Sequence, residues 1–292
     1  MKKPKDASGV YRNLVNQFNR IFTESLRDGS VSSQTQFRYR SSFNVFMRFC
    51  AERYRLQKLG KVRDRFVTEF IAWRKGQGIS LDTIRRDVVA IRHFHARNET
   101  AEFRLRPLED YDLARTNRTY IQRGWHEDEF AGICAKAAAL GRQEVLLAVR
   151  LAWYTGLRIH ECVRLNTCDV KDSLRTGEIT VKGKGGKVRS VPVSPEAREI
   201  LITAAAVAGE LGLTKLFVPE GRQAHQVIKS IESFVARHRG HAMTGDREKP
   251  ITFHGLRHRY AQDERARGKS LPEVSRLLGH EREDITKVYV KQ

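Results

Sequence analysis

The sequence predicts a mostly α-helical protein with one small β-hairpin, an α+β fold made of an N-terminal helical domain and a larger C-terminal domain. Three observations predict this. Apolar residues recur at helical spacing along most of the 292 residues, the period changes to strict alternation only near 178–193, and a polar stretch without periodicity divides the chain.

Tyr11, Leu14, Val15, Phe18, Ile21 and Phe22 share one face of a helix over 10–28, and Gly29 follows where a left-handed cap would sit. A second helix starts after Ser32 and Ser33 and carries Phe43, Phe46, Cys50 and Tyr54; a third carries Phe66, Phe70 and Trp73 and is ended by Gly76 and Gly78. The fourth begins at Ser80, an N-cap residue with Asp82 in the first turn, and repeats Leu81, Ile84, Val88, Ile91 and Phe94. Its other side shows Arg85, Arg86, Arg92 and Arg97 with Asp87 as the single acid between them, a face suited to phosphate contact. Residues 98–124 lose the periodicity and contain Pro107 and Gly124. The expected division is therefore a DNA-binding helical domain over 1–105, a linker over 106–124, and a second domain over 125–292.

In the second domain Glu127, Asp128 and Glu129 crowd the first turn of a helix continuing through Phe130, Ile133 and Cys134, where acids complement the helix dipole. A more hydrophobic helix over 145–154 is expected at the centre of the core. Ile179 and Val181 alternate, glycines turn the chain between 183 and 186, and Val191 and Val193 alternate again, which reads as a β-hairpin. Patterns at 196–208, 223–239, 256–267, 272–278 and 284–290 read as helices.

Fifty-four Lys and Arg against 34 Asp and Glu give a net charge of +20. The first 124 residues carry 26 of the basic and 13 of the acidic side chains, so the N-terminal part is the more basic one. Such an excess points to a polyanion partner, most simply nucleic acid, ahead of a merely solvated basic surface or a membrane-surface binder. Nothing reads as a signal peptide or a membrane span, because the apolar run at 145–154 is short and broken by Arg150; a cytoplasmic, nucleoid-associated protein is expected. Cys50, Cys134, Cys162 and Cys168 show no CxxC spacing and are expected as reduced core residues. His254 and His258 stand four apart, a metal-ligand spacing, but residue 255 is glycine where an HExxH site needs glutamate, so no metal is expected there. His258 is expected to support the core or a phosphate, and His93, His95, His238 and His241 to lie on the surface. The glycine-lysine run at 183–187 lacks the spacing of a nucleotide-binding loop.

Five segments remain to be explained together: Thr155-Gly-Leu-Arg-Ile-His-Glu161, Gly183-Lys-Gly-Gly-Lys-Val-Arg189, His254-Gly-Leu-Arg257, Leu277-Leu-Gly-His280, and Tyr289. In this order and spacing they resemble the tyrosine recombinase family of phage-integrase type. That family has an arginine after a TGLR-like turn, a lysine in a GKG hairpin, an HxLRH segment, an LLGH segment and a tyrosine nine residues later. The resemblance covers roughly 125–292; the N-terminal half agrees only in being small, basic and helical.

The resemblance implies a site-specific DNA recombinase or integrase, of a kind found on mobile genetic elements, that cleaves and rejoins DNA through a covalent 3′-phosphotyrosine. Tyr289 would be the nucleophile, Arg158 and Arg257 would grip the scissile phosphate, and Lys184 would be the general acid, although Lys182 and Lys187 flank the same turn. His254 would assist proton transfer or hold the phosphate. His280 would bond a non-bridging oxygen and help orient the tyrosine, and Glu161 would orient Arg158 without taking part in the chemistry. No metal, ATP or other cofactor is implied. The partners implied are double-stranded DNA carrying specific sites and other copies of the chain, a tetramer at synapsis.

The residue types suit that chemistry. A phenol can hold a phosphoester, but with an unperturbed pKa of about 10 it needs nearby positive charge or a base to attack at neutral pH. Two guanidiniums can stabilise the added negative charge of a pentacoordinate transition state. Two other functions fit the same residues: a type IB topoisomerase-like enzyme that nicks and reseals one strand, and a catalytically silent DNA-binding protein on the same scaffold. Arg85, Arg86 and Arg92 are expected to meet DNA phosphates, with the two domains on opposite sides of the duplex. Only Val290, Lys291 and Gln292 follow Tyr289, whereas many family members continue into a segment that docks on a neighbour. Either the sequence is shortened there or assembly uses other contacts, the helix at 10–28 being a candidate.

Overall fold

The computed structural model describes residues 7–29, 31–113, 122–183, 186, 188–242, 249–280 and 283–290, with the side chains of Ser33, His241, Glu283 and Asp284 excepted. The chain forms two compact units, Met1–Asn117 and Arg118–Gln292.

The first unit is a bundle of four helices, α1 (Ala7–Asp28), α2 (Ser33–Tyr54), α3 (Asp64–Gly76) and α4 (Leu81–His95). The apolar stripes meet in one aromatic-rich core, where Phe18 lies edge-on to Phe94 with centroids 4.8 Å apart and Phe43 and Phe46 continue the cluster. Ser32 caps α2 by accepting from the Thr35 backbone N–H. Asp87 departs from the expectation of a solvated basic face: it is buried and forms an ion pair with Arg74 at 2.9 Å. Arg85 also turns inward, donating to the Leu113 carbonyl at 2.7 Å, whereas Arg86 is exposed and bonds only within its own helix.

Residues 106–113, expected in the linker, instead pack as part of the first unit. Leu108, Tyr111 and Leu113 are buried in its core, and a short 3-10 turn, Leu108–Tyr111, places the Tyr111 hydroxyl on Asp64. Pro107 and the clustered charges hid three well-spaced anchors. The rest of the expected linker, 114–121, lies outside the described residues. His95 is likewise buried rather than on the surface, because its Nε2 bonds the Phe103 carbonyl at 2.8 Å.

In the second unit the order is α5 (Glu127–Ala139), α6 (Gln143–Thr155), α7 (Ile159–Arg164), α8 (Thr167–Thr176), β1 (Glu178–Lys182), β2 (Val188–Pro192), α9 (Pro195–Glu210), α10 (Ala224–Ala242), α11 (Phe253–Ala266), α12 (Leu271–Leu278) and α13 (Glu283–Thr286). The core gathers around α6, whose Val145, Ala148, Leu151 and Ala152 are fully buried. The two strands are antiparallel, pairing Val181 with Arg189 and Ile179 with Val191. Helices α7 and α8 are not marked by a long apolar period. Each is short and set by its caps, Glu161 accepting from the Arg158 backbone N–H and Asp169 from that of Asn166, both at 2.7 Å.

The helix expected over 284–290 stops at Thr286, and a tight turn follows in which the Tyr289 N–H reaches the Thr286 carbonyl at 2.9 Å. Cys50 and Cys162 are buried and Cys134 half-buried, but Cys168 is exposed near the start of α8, which corrects its expected place in the core. Among the described residues no helix is long and apolar enough to cross a membrane.

Candidate active site

Four segments of the second unit bring the site together, and backbone geometry explains how. Helix α6 ends at Gly156, which takes φ +62°. A Cβ there would stand 2.4 Å from the Tyr260 ring, so the glycine serves both the left-handed turn and the close approach of α11. That approach lets Arg257, on α11, donate from Nη1 to the Gly156 carbonyl at 2.8 Å. Its Nη2 donates to the Leu278 carbonyl and lies 3.4 Å from His280 Nε2. One fully buried guanidinium therefore joins the turn before Arg158 to the turn before His280. Its Nε has no hydrogen-bond partner among the described residues.

The start of α11 is fixed by Trp125, whose Nε1 donates to the Thr252 carbonyl at 2.8 Å, and Gly255 has no room for a side chain against Arg123 and Trp125. His254 is thereby presented to Tyr289, its Nε2 lying 2.9 Å from the hydroxyl. His258, one turn later and buried, stacks on the tyrosine ring with centroids 3.9 Å apart and planes 15° from parallel. His280 approaches the same ring at 4.9 Å and is held through Nδ1 by the Thr286 hydroxyl at 2.8 Å. Gln262 bonds the Tyr289 carbonyl at 3.2 Å. His254 thus meets the hydroxyl, where it was expected to assist proton transfer, and His280 meets the ring it was expected to help orient.

Arg158 follows Gly156 and Leu157 at the N-terminus of α7, with its side chain 27 % exposed. Its Nη1 bonds Glu161 Oε1 at 2.9 Å. Glu161 also receives both Nη atoms of Arg189, at 2.6 and 2.8 Å. Burial works to raise the Glu161 pKa, but the Arg189 hydrogen bond and charge, with the amide and guanidinium of Arg158, outweigh it and hold the carboxylate at about 2.

The histidines are uncharged at neutral pH. Desolvation, reinforced by Arg257 and Arg158, lowers His254 to about 4 and His280 to about 3. Desolvation, with the His254 and Arg123 neighbours, lowers His258 to about 3. Arg257 is pushed down by burial and by the Arg158 and Arg189 charges to about 9, which still leaves it charged at pH 7. The site is thus a cationic cluster with an uncharged imidazole on the tyrosine hydroxyl. It can receive an anion between Arg158 and Arg257 and accept a phenolic proton at His254 Nε2.

Tyr289, Arg158, Arg257, His254, His280 and Glu161 are all gathered in this cluster. Lys184 and Lys187 lie outside the described residues; Lys182 is exposed at the end of β1. Arg85, Arg86 and Arg92 belong to the first unit, on α4. Among the described residues no cluster of three His, Cys, Asp or Glu side chains could hold a metal. Arg189 and the His258 stack went unrecognised in the sequence. A signal existed for Arg189: it shares the inward parity of Val191 on β2, where a charge requires a buried partner.

Residues 127–292 match the Phage integrase family, and residues 20–99 match the phage integrase N-terminal SAM-like domain. The chain is 28 % identical over 290 residues to tyrosine recombinase XerD of Mycobacterium leprae (strain TN), covering 89 % of this chain and 87 % of that one. It is 29 % identical over 271 residues to tyrosine recombinase XerC of Rhodospirillum centenum, covering 89 % and 77 %. Its fold matches a lambda integrase dimer bound to a COC′ core site with a TM-score of 0.70 over 94 % of each chain, at 18 % identity. With the family match spanning more than half of the chain, and with the gathered tyrosine, arginines and histidines lying inside it, this protein belongs to the phage integrase family of tyrosine recombinases.

Proposed function

We propose that the chain is a site-specific DNA recombinase that cleaves and rejoins strands through a 3′-phosphotyrosine at Tyr289. The observation that carries this reading is the Tyr289 hydroxyl, 2.9 Å from His254 Nε2 beside the buried guanidinium of Arg257. The scissile phosphate would place its non-bridging oxygens on Arg158 and Arg257, whose unpartnered Nε suits an incoming oxygen. Tyr289 Oη attacks phosphorus as its proton passes to His254; the bond to the 5′-oxygen breaks, and that oxygen takes a proton from the hairpin lysine, Lys184 by its place in the family pattern. His280 adds a hydrogen bond to the phosphate. Rejoining reverses the steps with a 5′-hydroxyl from another strand, so the bond energy is kept and no ATP is consumed.

Double-stranded DNA with defined sites is then the substrate, and the nucleoid is where the protein would work. The first unit, with Arg86 and Arg92 on α4, would bind the duplex as the DNA-binding domain, and the second would carry the chemistry. Lambda integrase is described as a dimer on a core site and as a tetramer on a Holliday junction. An assembly of several copies on paired sites is proposed here too.

The test is a nicked duplex that traps the covalent intermediate. The unsubstituted chain should form a denaturant-resistant adduct in the presence of a chelator, and Tyr289→Phe should form none. An adduct with Tyr289→Phe, or none with the unsubstituted chain on DNA it binds, would overturn the assignment.

A further inference from the structure

Arg189 lies on β2, opposite Val181, and its side chain is only 10 % exposed. Every nitrogen of its guanidinium is engaged. Nη1 and Nη2 bond the two Glu161 oxygens at 2.6 and 2.8 Å, and Nε donates to the Leu277 carbonyl at 2.9 Å. The same two Glu161 oxygens receive Arg158, through Nη1 at 2.9 Å and through its backbone N–H at 2.7 Å. The turn that ends in His280 is shaped around this side chain: a Cβ on Gly279 would stand 2.7 Å from Arg189 Cδ.

We propose that Arg189 is a positioning residue for strand cleavage, holding Arg158 in a phosphate-facing pose through Glu161 and holding the turn before His280 in register with it. The inference rests on the recombinase reading above and adds to it a residue that does not touch the phosphate. Its logic is competition. A buried carboxylate must be paired. With Arg189 filling one side of Glu161, Arg158 needs to give only one Nη to the pair, and the rest of its fork stays available to an anion. Without Arg189, Glu161 draws the Arg158 guanidinium into a two-pronged pair and away from the phosphate. The Leu277 carbonyl loses its donor at the same time, so the backbone leading to His280 is freed.

Arg189→Lys keeps the charge and removes the fork. The expected result is single-turnover cleavage slowed on the order of 10- to 100-fold, the scale of a misplacement of about 1 Å in a preorganised site. DNA binding, measured in a Tyr289→Phe background where no cleavage occurs, should stay unchanged. Thermal melting of the variant is checked alongside; if it falls sharply, Arg189→Gln replaces it in the same assays.

Two readouts separate positioning from a general loss of structure. A substrate with sulfur as the 5′-bridging atom leaves as a thiolate and needs no proton, so it removes the demand for the general acid. An Arg189 effect exerted through Arg158 and His280 persists on this substrate. In a Glu161→Gln background, Arg189→Lys should cost clearly less than it does in the parent, because only its hold on the Leu277 carbonyl remains to be lost. An unchanged rate, a defect rescued by the sulfur substrate, or losses that simply add in the double variant would each overturn the proposal. Failure of the recombinase reading itself shows differently, as no adduct from the unsubstituted chain on either substrate, and it overturns the proposal too.

Discussion

Acidifying the solution from pH 7.5 to 5.0 should destabilise the second unit through His258, and the size of the effect can be worked from its surroundings. His258 is 2 % exposed, lies flat on Tyr289 and is held at about 3. In the unfolded chain it titrates near 6.5. Between those values the unfolded state binds a proton that the folded state refuses. Stability is therefore complete above about pH 6.5 and is lost as the pH falls toward 3. At pH 5.0 the gap is about 1.5 pH units, worth about 2 kcal/mol at about 1.4 kcal/mol per unit. For a unit of this size that is a fall in melting temperature of about 4–8 °C. Glu161, held at about 2, stays ionised across this window and does not contribute. His254 and His280 act in the same direction, so the diagnostic quantity is a difference between variants. His258→Phe keeps a flat ring against Tyr289 and sacrifices no hydrogen bond at Nδ1, which has no partner among the described residues. Melting is followed by Trp125 and Trp153 fluorescence in a Trp73→Phe background, so that only the second unit reports. The pH-dependent loss should shrink by about 2 kcal/mol in His258→Phe. Equal losses with and without the substitution would refute the reasoning.

Two further expectations concern geometry and charge. Gly156→Ala combines a positive φ with a Cβ placed 2.4 Å from the Tyr260 ring, and should lower stability by about 2 kcal/mol or more and slow cleavage; a melting temperature within 1 °C or so of the parent would count against it. Arg86→Ala should leave stability alone and flatten the salt dependence of DNA binding by about one unit of log–log slope. Arg85→Ala should instead lower the melting temperature of the first unit, because that guanidinium holds the Leu113 carbonyl. A reversed pattern between these two arginines would show that α4 meets DNA on a different face.

Most of the fold was legible because long helices repeat their apolar residues often enough to be counted, as α1 does through Leu14, Phe18, Ile21 and Phe22. The hairpin was legible by its change of period. What stayed hidden was set by single contacts. Helix α7 has six residues and is fixed by one carboxylate, so it offers too few turns for periodicity. Leu108, Tyr111 and Leu113 anchor an apparent linker with three side chains, and polar neighbours masked them. In the site, the residues expected from the sequence were those inside the motif segments. Arg189 closes one of the quoted segments and His258 follows another, but what they do depends on partners 28 and 31 positions away in sequence, and a linear pattern carries no record of that pairing.

Arg257 spans Gly156 and Leu278 with the same guanidinium that is proposed to grip the scissile phosphate. It is a fastener of the fold as well as the proposed grip on the phosphate, so these two roles cannot be dissected by removing it. A protein silenced at Arg257 would be a different object, with two turns cut loose, and its lost activity would say little about phosphate contact. Studies that need an inert but faithfully shaped copy, for trapping DNA or counting subunits, are better served by taking one oxygen from Tyr289. The wiring also sets where such an enzyme can be retuned: the partly exposed Arg158 can be varied, whereas the buried guanidinium of Arg257 is fixed by the architecture it holds.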